Sequence, residues 1–415
     1  MIDNSDALVI GAGPAGSSTA ILLAQAGWRV SLIEQHAYPR QKVCGECIAA
    51  GNFALLDELG IGPAVRRIAG AELKQVGWMH RDTTITADMP PCTENADRYG
   101  RALGRDVFDS LLIARARAVG VNIMQPARVR KVWGQPGQFR CEIDDLSLKG
   151  DVKSPTKATL RASIIIDAHG SWESGPQFDT AGEASHSLRL SQRASDLFAF
   201  KATFSQSALA PGLLPVVALK GGYGGMVLAN EGRTTVALCL RRDALRALRA
   251  KKPGVPAGTA IEAYLQESCS GMRAALRDAK RNGSWLTVGP LRPGTRLHAT
   301  PGMFRVGNAS GESHPLIGEG ISMALQSSKL LVENLLGSAN RVPQGPELGA
   351  AHRAYASAWR ESFLPRMRLA ALYAHIAMRT QLAAPVAQSL RQWPALLTTA
   401  ARLAGKARPA IHPPP

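Results

Sequence analysis

Two groups of residues in this 415-residue chain have the types and spacing to do chemistry. The first is Gly11-Ala12-Gly13-Pro14-Ala15-Gly16, followed eighteen residues later by Glu34 and its neighbour Gln35. Gly11 permits a tight turn, Gly13 lets backbone amides approach a diphosphate, and Gly16 lets a following helix pack closely on the preceding strand. Glu34 stands where a carboxylate accepts ribose hydroxyls. The pattern is that of a dinucleotide site and leaves NAD and FAD open. The second group is Cys44 and Cys47, the spacing of a redox pair and of half a zinc site. The rest of a four-ligand set is not evident nearby, so plain loop packing is expected and no metal site is assigned.

The elements that must position these residues can be read from periodicity. Residues 7–10 form a short apolar run bounded by Gly11, a buried parallel strand; 17–26 are Ala- and Leu-rich, a helix; 29–33 are a second strand ending at Glu34. A helix follows residue 105, with Phe108, Leu111, Leu112 and Ala116 at helical spacing and Asp106 as its cap. Residues 164–166 form a strand that leads into a turn at Asp167-Ala168-His169-Gly170-Ser171-Trp172. Between 176 and 285 the pattern becomes alternating, as in 197–204 and 234–240, with 73–79 joining the same sheet. Phe198, Phe200 and Phe204 share one face there and read as core. Helices are expected over 243–251 and 260–281. From Pro346 onward, Pro365, Pro385 and Pro394 interrupt the pattern, which predicts several short helices and a flexible Pro-rich tail.

Composition narrows the partners. Hydrophobic residues make up 45% and charged residues 20%, an ordinary globular balance that excludes disorder and collagen. Lys+Arg number 49 against 32 Asp+Glu, giving +17, which favours anionic surfaces or acidic partners. The excess is local as well: from residue 346, Arg353, Arg360, Arg366, Arg368, Arg379, Arg391, Arg402, Lys406 and Arg408 face only Glu347 and Glu361. Such a region reads either as a solvated helical cap or as a basic amphipathic surface for an anionic bilayer. Few aromatic residues and no nucleic-acid motif argue against DNA or RNA. Six cysteines, no secretion signal and no run of 18 apolar residues predict a cytoplasmic protein, either soluble or peripheral to the inner membrane face.

Further segments carry a resemblance. Pro39-Arg40-Gln41-Lys42-Val43-Cys44-Gly45, the 98–109 segment, and Gly307-Asn308-Ala309-Ser310-Gly311 followed by Pro315-Leu316-Ile317-Gly318-Glu319-Gly320-Ile321 resemble signatures of the FAD-dependent monooxygenase and geranylgeranyl-reductase superfamily, which includes flavin-dependent halogenases. The resemblance implies an α/β fold: a Rossmann-like FAD-binding domain, an inserted mixed or antiparallel substrate sheet, and a C-terminal helical region. It divides the chain into FAD-binding segments at 1–75, 101–175 and 286–345. Substrate-sheet segments fall at 76–100 and 176–285, and the helical region at 346–415. It implies FAD contacts from Gly11 to Gly16, Glu34, Gln35, Arg40, Arg105, Asn308, Gly318, Glu319, Gly320 and Ile321. Asn308 replaces the usual aspartate, keeping hydrogen-bonding capacity without the charge. The start of a helix after Gly320 turns free amides toward the flavin ring.

The chemistry the resemblance implies is monooxygenation of an aromatic substrate through a flavin C4a-hydroperoxide, the substrate being a phenolic lipid, a polyketide or an acidic protein bearing a modifiable aromatic residue. His314, beside Pro315, is the expected catalytic base, since imidazole titrates near neutrality. His169 stands where aromatic hydroxylases carry an aspartate and reads as a turn residue. Its presence, and the lack of a second glycine-turn unit, point to NADH or NADPH acting transiently or through a partner flavin reductase. Prenyl double-bond reduction is the alternative, although Tyr223-Gly224-Gly225-Met226-Val227-Leu228 lacks the Trp and Pro of the reductase motif. Halogenation and a non-catalytic flavoprotein are lesser alternatives. The tryptophan halogenases' Trp-x-Trp-x-Ile-Pro is absent, and Ile317 stands in place of their glutamate.

Overall fold

The apolar run at the start of the chain, buried on both sides at Ala7, Leu8 and Val9, becomes a central strand of the first of two large sheets. The computed structural model describes residues 4–94, 96–147, 157–171, 173, 175–179, 192–298, 300–337 and 341–406; Trp172, Arg408 and the Pro-rich tail lie outside them. In the first sheet the strand order is Gln177–Asp179, Ala127–Gln135, Gln138–Asp145, Lys157–Asp167, Asn4–Ile10, Val30–Ile33 and Asn122–Met124, with Met303–Arg305 also paired to Lys157–Asp167. The Asn4–Ile10 strand runs parallel to both neighbours, with Ala7 opposite Ile164 and Val30. This is the Rossmann-like half, and strands covered on both faces read as continuous apolar runs for that reason.

Helices surround it in chain order: α1 (Pro14–Gln25), α2 (Phe53–Glu58), α3 (Gly62–Ile68) and α4 (Arg105–Ala118). The chain then builds α5 (Arg242–Lys251), α6 (Ala257–Ser268), α7 (Ser270–Leu276), α8 (Gly320–Leu336), α9 (Pro346–Ala377), α10 (Thr380–Gln392) and α11 (Ala395–Leu403). α1 begins at Pro14 rather than residue 17, because proline's fixed φ suits the first helical position. Asp106 does not cap α4. The helix already starts at Arg105, so Asp106 sits in its first turn and accepts from Gln41 and Arg233 at 2.9 and 3.0 Å.

The second sheet runs Lys280–Leu291, Leu197–Ser205, Thr234–Arg241, Gly222–Leu228, Leu213–Leu219, Gln75–His80 and Thr83–Asp88. It is mixed: Leu213–Leu219 is parallel to Gln75–His80, and the other pairings are antiparallel. Two expectations change here. The helix expected over 260–281 breaks at Cys269, which is extended, and the chain continues as the strand Lys280–Leu291; the division at 285/286 therefore falls inside a strand. Phe200 and Phe204 pack with Ile261, Leu265 and Met272 of α6 and α7, while Phe198 lies at that core's edge under the Arg242 guanidinium.

The other face of the second sheet is covered by the end of α9, by α10 and by α11, through Ala377, Ala383, Leu390 and Leu397 packed with Ala199, Ala218 and Tyr223. Pro365 does not divide α9, nor Pro385 α10. Proline removes one backbone donor, but the buried row Tyr355, Trp359, Phe363, Met367, Ala370 and Ala374 continues through the site and holds both halves of α9 against the protein.

Candidate active site

Gly11 and Gly16 are demanded by the fold itself. Gly11 has φ +99, and a Cβ there would lie 2.6 Å from the Ala168 carbonyl oxygen; a Cβ on Gly16 would lie 1.8 Å from that of Gly11. Gly13 differs. Its φ of −68 and ψ of −176 suit any residue, and a Cβ there would meet only Arg105 Nη2, at 3.7 Å, among the described residues. The free space over Gly13 and the N-terminus of α1, which has no acidic residue in its first turn, form a cradle for an anion. Ala12 N–H and His36 N–H each donate 2.9 Å bonds to the Glu34 carboxylate, fixing it at the end of Val30–Ile33.

Cations gather beside this turn. The buried Arg105 guanidinium is held by Asp109 at 2.8 and 2.7 Å. Arg40, Lys42 and His36 converge on Glu173 at 2.8, 3.7 and 3.4 Å, and Gln35 bonds Glu173 and, at 3.0 Å, Arg128. Burial, Arg105 and Arg40 together push the Lys42 ammonium below its usual range. Arg40 Nε is buried without a hydrogen-bond partner. Crowded cations beside an open glycine turn fit the diphosphate of FAD, with Arg105 above Gly13. Lys42 enters this group although the sequence reading assigned only Arg40 from its loop; its i+2 spacing from Arg40 was the available signal.

The later anchor is built on two turns. Gly307 has φ +60 and packs on α1, where a Cβ would lie 2.7 Å from Ala15 Cβ. Asn308 donates to Ser171 Oγ at 3.4 Å, and its carbonyl accepts from Arg296 at 3.1 Å. Gly318, at φ +62, turns the chain into Glu319 and α8. The buried Glu319 carboxylate faces Arg366 Nη1 at 3.4 Å and Lys406 Nζ at 3.6 Å, and so points toward the C-terminal helices. Ile321 is core, while a Cβ on Gly320 would find open space. Backbone amides and the α8 N-terminus are thus the groups this segment offers to a ring.

Between these anchors and the second sheet lies a cavity of about 280 Å³. Its walls come from Val43, Cys44, Gly45 and Cys47, the strands bearing Trp78, Val216 and Tyr223, the Pro315–Gly318 stretch, and Leu390 and Leu397 of α10 and α11. Almost all of the lining is apolar; Lys406 is its charged residue, with Nζ 3.4 Å from the Gly318 carbonyl. His314 stands one residue before the lining, with Nδ1 3.2 Å from Tyr223 Oη. Burial and the nearby His375 push its pKa down to about 4, so it is neutral at pH 7 and a weaker base than free imidazole. Cys44 and Cys47 are free thiols; Cys47 donates to the Gly45 carbonyl at 3.3 Å, and burial pushes it up to about 12.

Two buried networks join the loop residue Glu46 and the turn residues Asp167 and His169 to partners far away in the sequence. Lys201, on Leu197–Ser205, bonds Glu46 and, at 2.9 Å, Gln41; Glu46 also accepts from Thr235 and from Arg105 N–H at 3.0 Å. This ties the loop that carries Gln41 and Glu46 to the second sheet. Asp167 bonds His169, lies 3.2 Å from Arg305 Nε and 3.7 Å from His298 Nε2. Its burial raises the carboxyl pKa, but His169 and His298 more than offset this and hold it well below the usual range.

Residues 4–184 match the family model described as FAD binding domain. The chain is 23% identical over 331 residues to a tryptophan 2-halogenase of Chondromyces crocatus, covering 78% of this chain and 59% of the relative's length. It is 25% identical over 352 residues to a menaquinone reductase of Mycolicibacterium smegmatis, covering 80% of this chain and 76% of the relative. Among solved structures, the myxobacterial chondrochloren halogenase CndH superposes with a TM-score of 0.70 at 20% identity, over 98% of this chain and 91% of the other. The chain therefore carries an FAD-binding domain and has the fold of the FAD-dependent monooxygenase and geranylgeranyl-reductase superfamily, halogenases included. The relatives named here are redox enzymes, two halogenases and a reductase.

Proposed function

We propose that the protein is an FAD-dependent monooxygenase that hydroxylates an aromatic ring carried by a hydrophobic, lipid-like molecule. The observation that carries this reading is the apolar cavity, which runs from the Gly318 and Gly45 segments to the C-terminal helices and holds Lys406 as its charged residue. Gly11 to Gly16, Glu34, Arg105 and the Gly318–Gly320 turn would hold FAD, which supplies two-electron redox chemistry when bound. Electrons would come from NADH or NADPH, directly or through a reductase. The walls exclude water and take an alkyl chain or fused ring by burial, worth about 0.8 kcal/mol per buried methylene. Lys406, anchored by Glu319 and the Gly318 carbonyl, offers its ammonium to a phenolic oxygen and orients the ring at that end of the cavity. His314, neutral and bonded to Tyr223, stands beside the wall as the candidate proton acceptor.

The likeness to a menaquinone reductase supports a second reading, reduction of a double bond in an isoprenoid-like substrate, and the likeness to halogenases a third. Oxygen and halide separate them. The test reduces the holoprotein anaerobically with NADH, NADPH or a reductase and adds an alkylphenol with and without dioxygen and halide. Hydroxylated product that requires dioxygen and ignores halide supports the proposal. Anaerobic turnover of a prenyl quinone, or halogenated product, replaces it.

A further inference from the structure

The helices that close the cavity present a second surface on their outer side. Val255, Leu372, Leu382, Trp393, Leu396 and Leu403 are the exposed large hydrophobic residues among those described, and all but Val255 belong to the segment from the end of α9 to α11. Leu396 and Leu403 are seven residues apart in α11 and so share one side of it, while Leu397, Ala401 and Ala404 face inward to the cavity. Trp393, in the turn between α10 and α11, is 60% exposed. The same stretch is strongly cationic: residues 362–415 contain Arg366, Arg368, Arg379, Arg391, Arg402, Lys406 and Arg408 and no Asp or Glu. Of these, Arg368, Arg379, Arg391 and Arg402 are exposed.

Apolar side chains, an exposed tryptophan and arginines without a single carboxylate over the end of α9, α10 and α11 are the composition of a helix layer that lies in a bilayer interface. No described helix is long and apolar enough to cross a membrane. We infer that the outer face of α10 and α11, with the end of α9, docks on an anionic lipid bilayer, and that the cavity directly beneath these helices takes its substrate from that bilayer. The charge selects the partner: an acidic membrane complements this face, whereas a second copy of the chain would set arginine against arginine. Docking follows from the surface alone; the origin of the substrate rests on the proposed lipid-like chemistry.

The test uses the full-length holoprotein with phosphatidylcholine vesicles, with and without phosphatidylglycerol, at low and high salt. Co-sedimentation should be stronger with the anionic vesicles by about tenfold or more and should weaken with salt. Trp393 fluorescence should be quenched by lipids brominated near the headgroup end of their chains. Leu396→Glu/Leu403→Glu changes two exposed side chains, so FAD content and thermal stability should stay as in the parent while vesicle binding falls by at least about tenfold. Absence of binding to anionic vesicles at low salt, or equal binding by the double variant, overturns the inference. So does a dimer that the double variant dissociates, which would give the face to a second copy. Vesicle binding is read without turnover, so failure of the proposed reaction leaves this result standing or falling by itself.

Discussion

Replacing Gly13 by Ala separates what the fold requires of the glycine turn from what a bound diphosphate requires. The backbone there is in an ordinary region, and the added methyl would meet only Arg105 Nη2, at 3.7 Å, among the described residues. A Gly→Ala change at a compatible position alters stability by within about 1 kcal/mol, so the apoprotein should unfold almost as the parent does. The methyl would, however, occupy the space over the α1 N-terminus. Losing one hydrogen bond to a charged group costs about 1.5–3 kcal/mol, so FAD affinity should fall by roughly 10- to 150-fold. The assay is quenching of FAD fluorescence on titration with apoprotein, alongside thermal unfolding of the apo form. Gly16→Ala is the contrasting variant: its methyl would be 1.8 Å from a carbonyl oxygen, so stability and FAD binding should fail together. FAD binding by Gly13→Ala that matches the parent would refute the placement of the diphosphate.

Lys406→Met should retain FAD yet raise KM for a phenolic substrate by about tenfold or more with a smaller change in kcat, as expected for loss of a charge-assisted bond; steady-state kinetics across substrate concentration decide it. Lys201→Met leaves the Glu46 carboxylate buried without its cation and should cost about 3–5 kcal/mol in denaturant unfolding, with Lys201→Met/Glu46→Gln recovering part of the loss. His314 has a folded pKa depressed to about 4 from 6.5, so the unfolded chain binds the proton first as pH falls. Its contribution to stability is complete above pH 6.5 and is lost progressively toward pH 4, by up to about 3 kcal/mol. His314→Gln should flatten thermal stability over that window, and should also lower turnover more than FAD content if the ring accepts the substrate's proton.

What could be read from the sequence was whatever sterics or a local period enforce. Gly11 and Gly16 sit where a side chain collides with backbone, so their spacing betrays strand, turn and helix at once. Phe200 and Phe204 alternate in phase with one buried face. Lys201 gave no such sign: it interrupts the apolar pattern of its strand, and its partner Glu46 is 155 positions away, joined only when the second sheet docks on the loop that carries Glu46. Pro365 misled for the converse reason. The local rule predicts a break, while a buried row that extends on both sides of it outweighs one missing hydrogen bond. Glu319 was legible as a position but not as a direction, because Arg366 of α9 and Lys406, just past α11, reach it from much later in the chain.

On the proposed function, that shared carboxylate would make the door and the wiring of the reaction chamber a single part. Lys406 rides just behind α11, the helix that walls the cavity, and rests against the Gly318 carbonyl. Any outward swing of α11 that admitted a guest molecule would also withdraw positive charge from the Gly318 loop, beside which the proposed flavin would lie, and reseating it would restore the charge. A reporter of local electric potential at Gly318 would therefore double as a reporter of whether the chamber is shut.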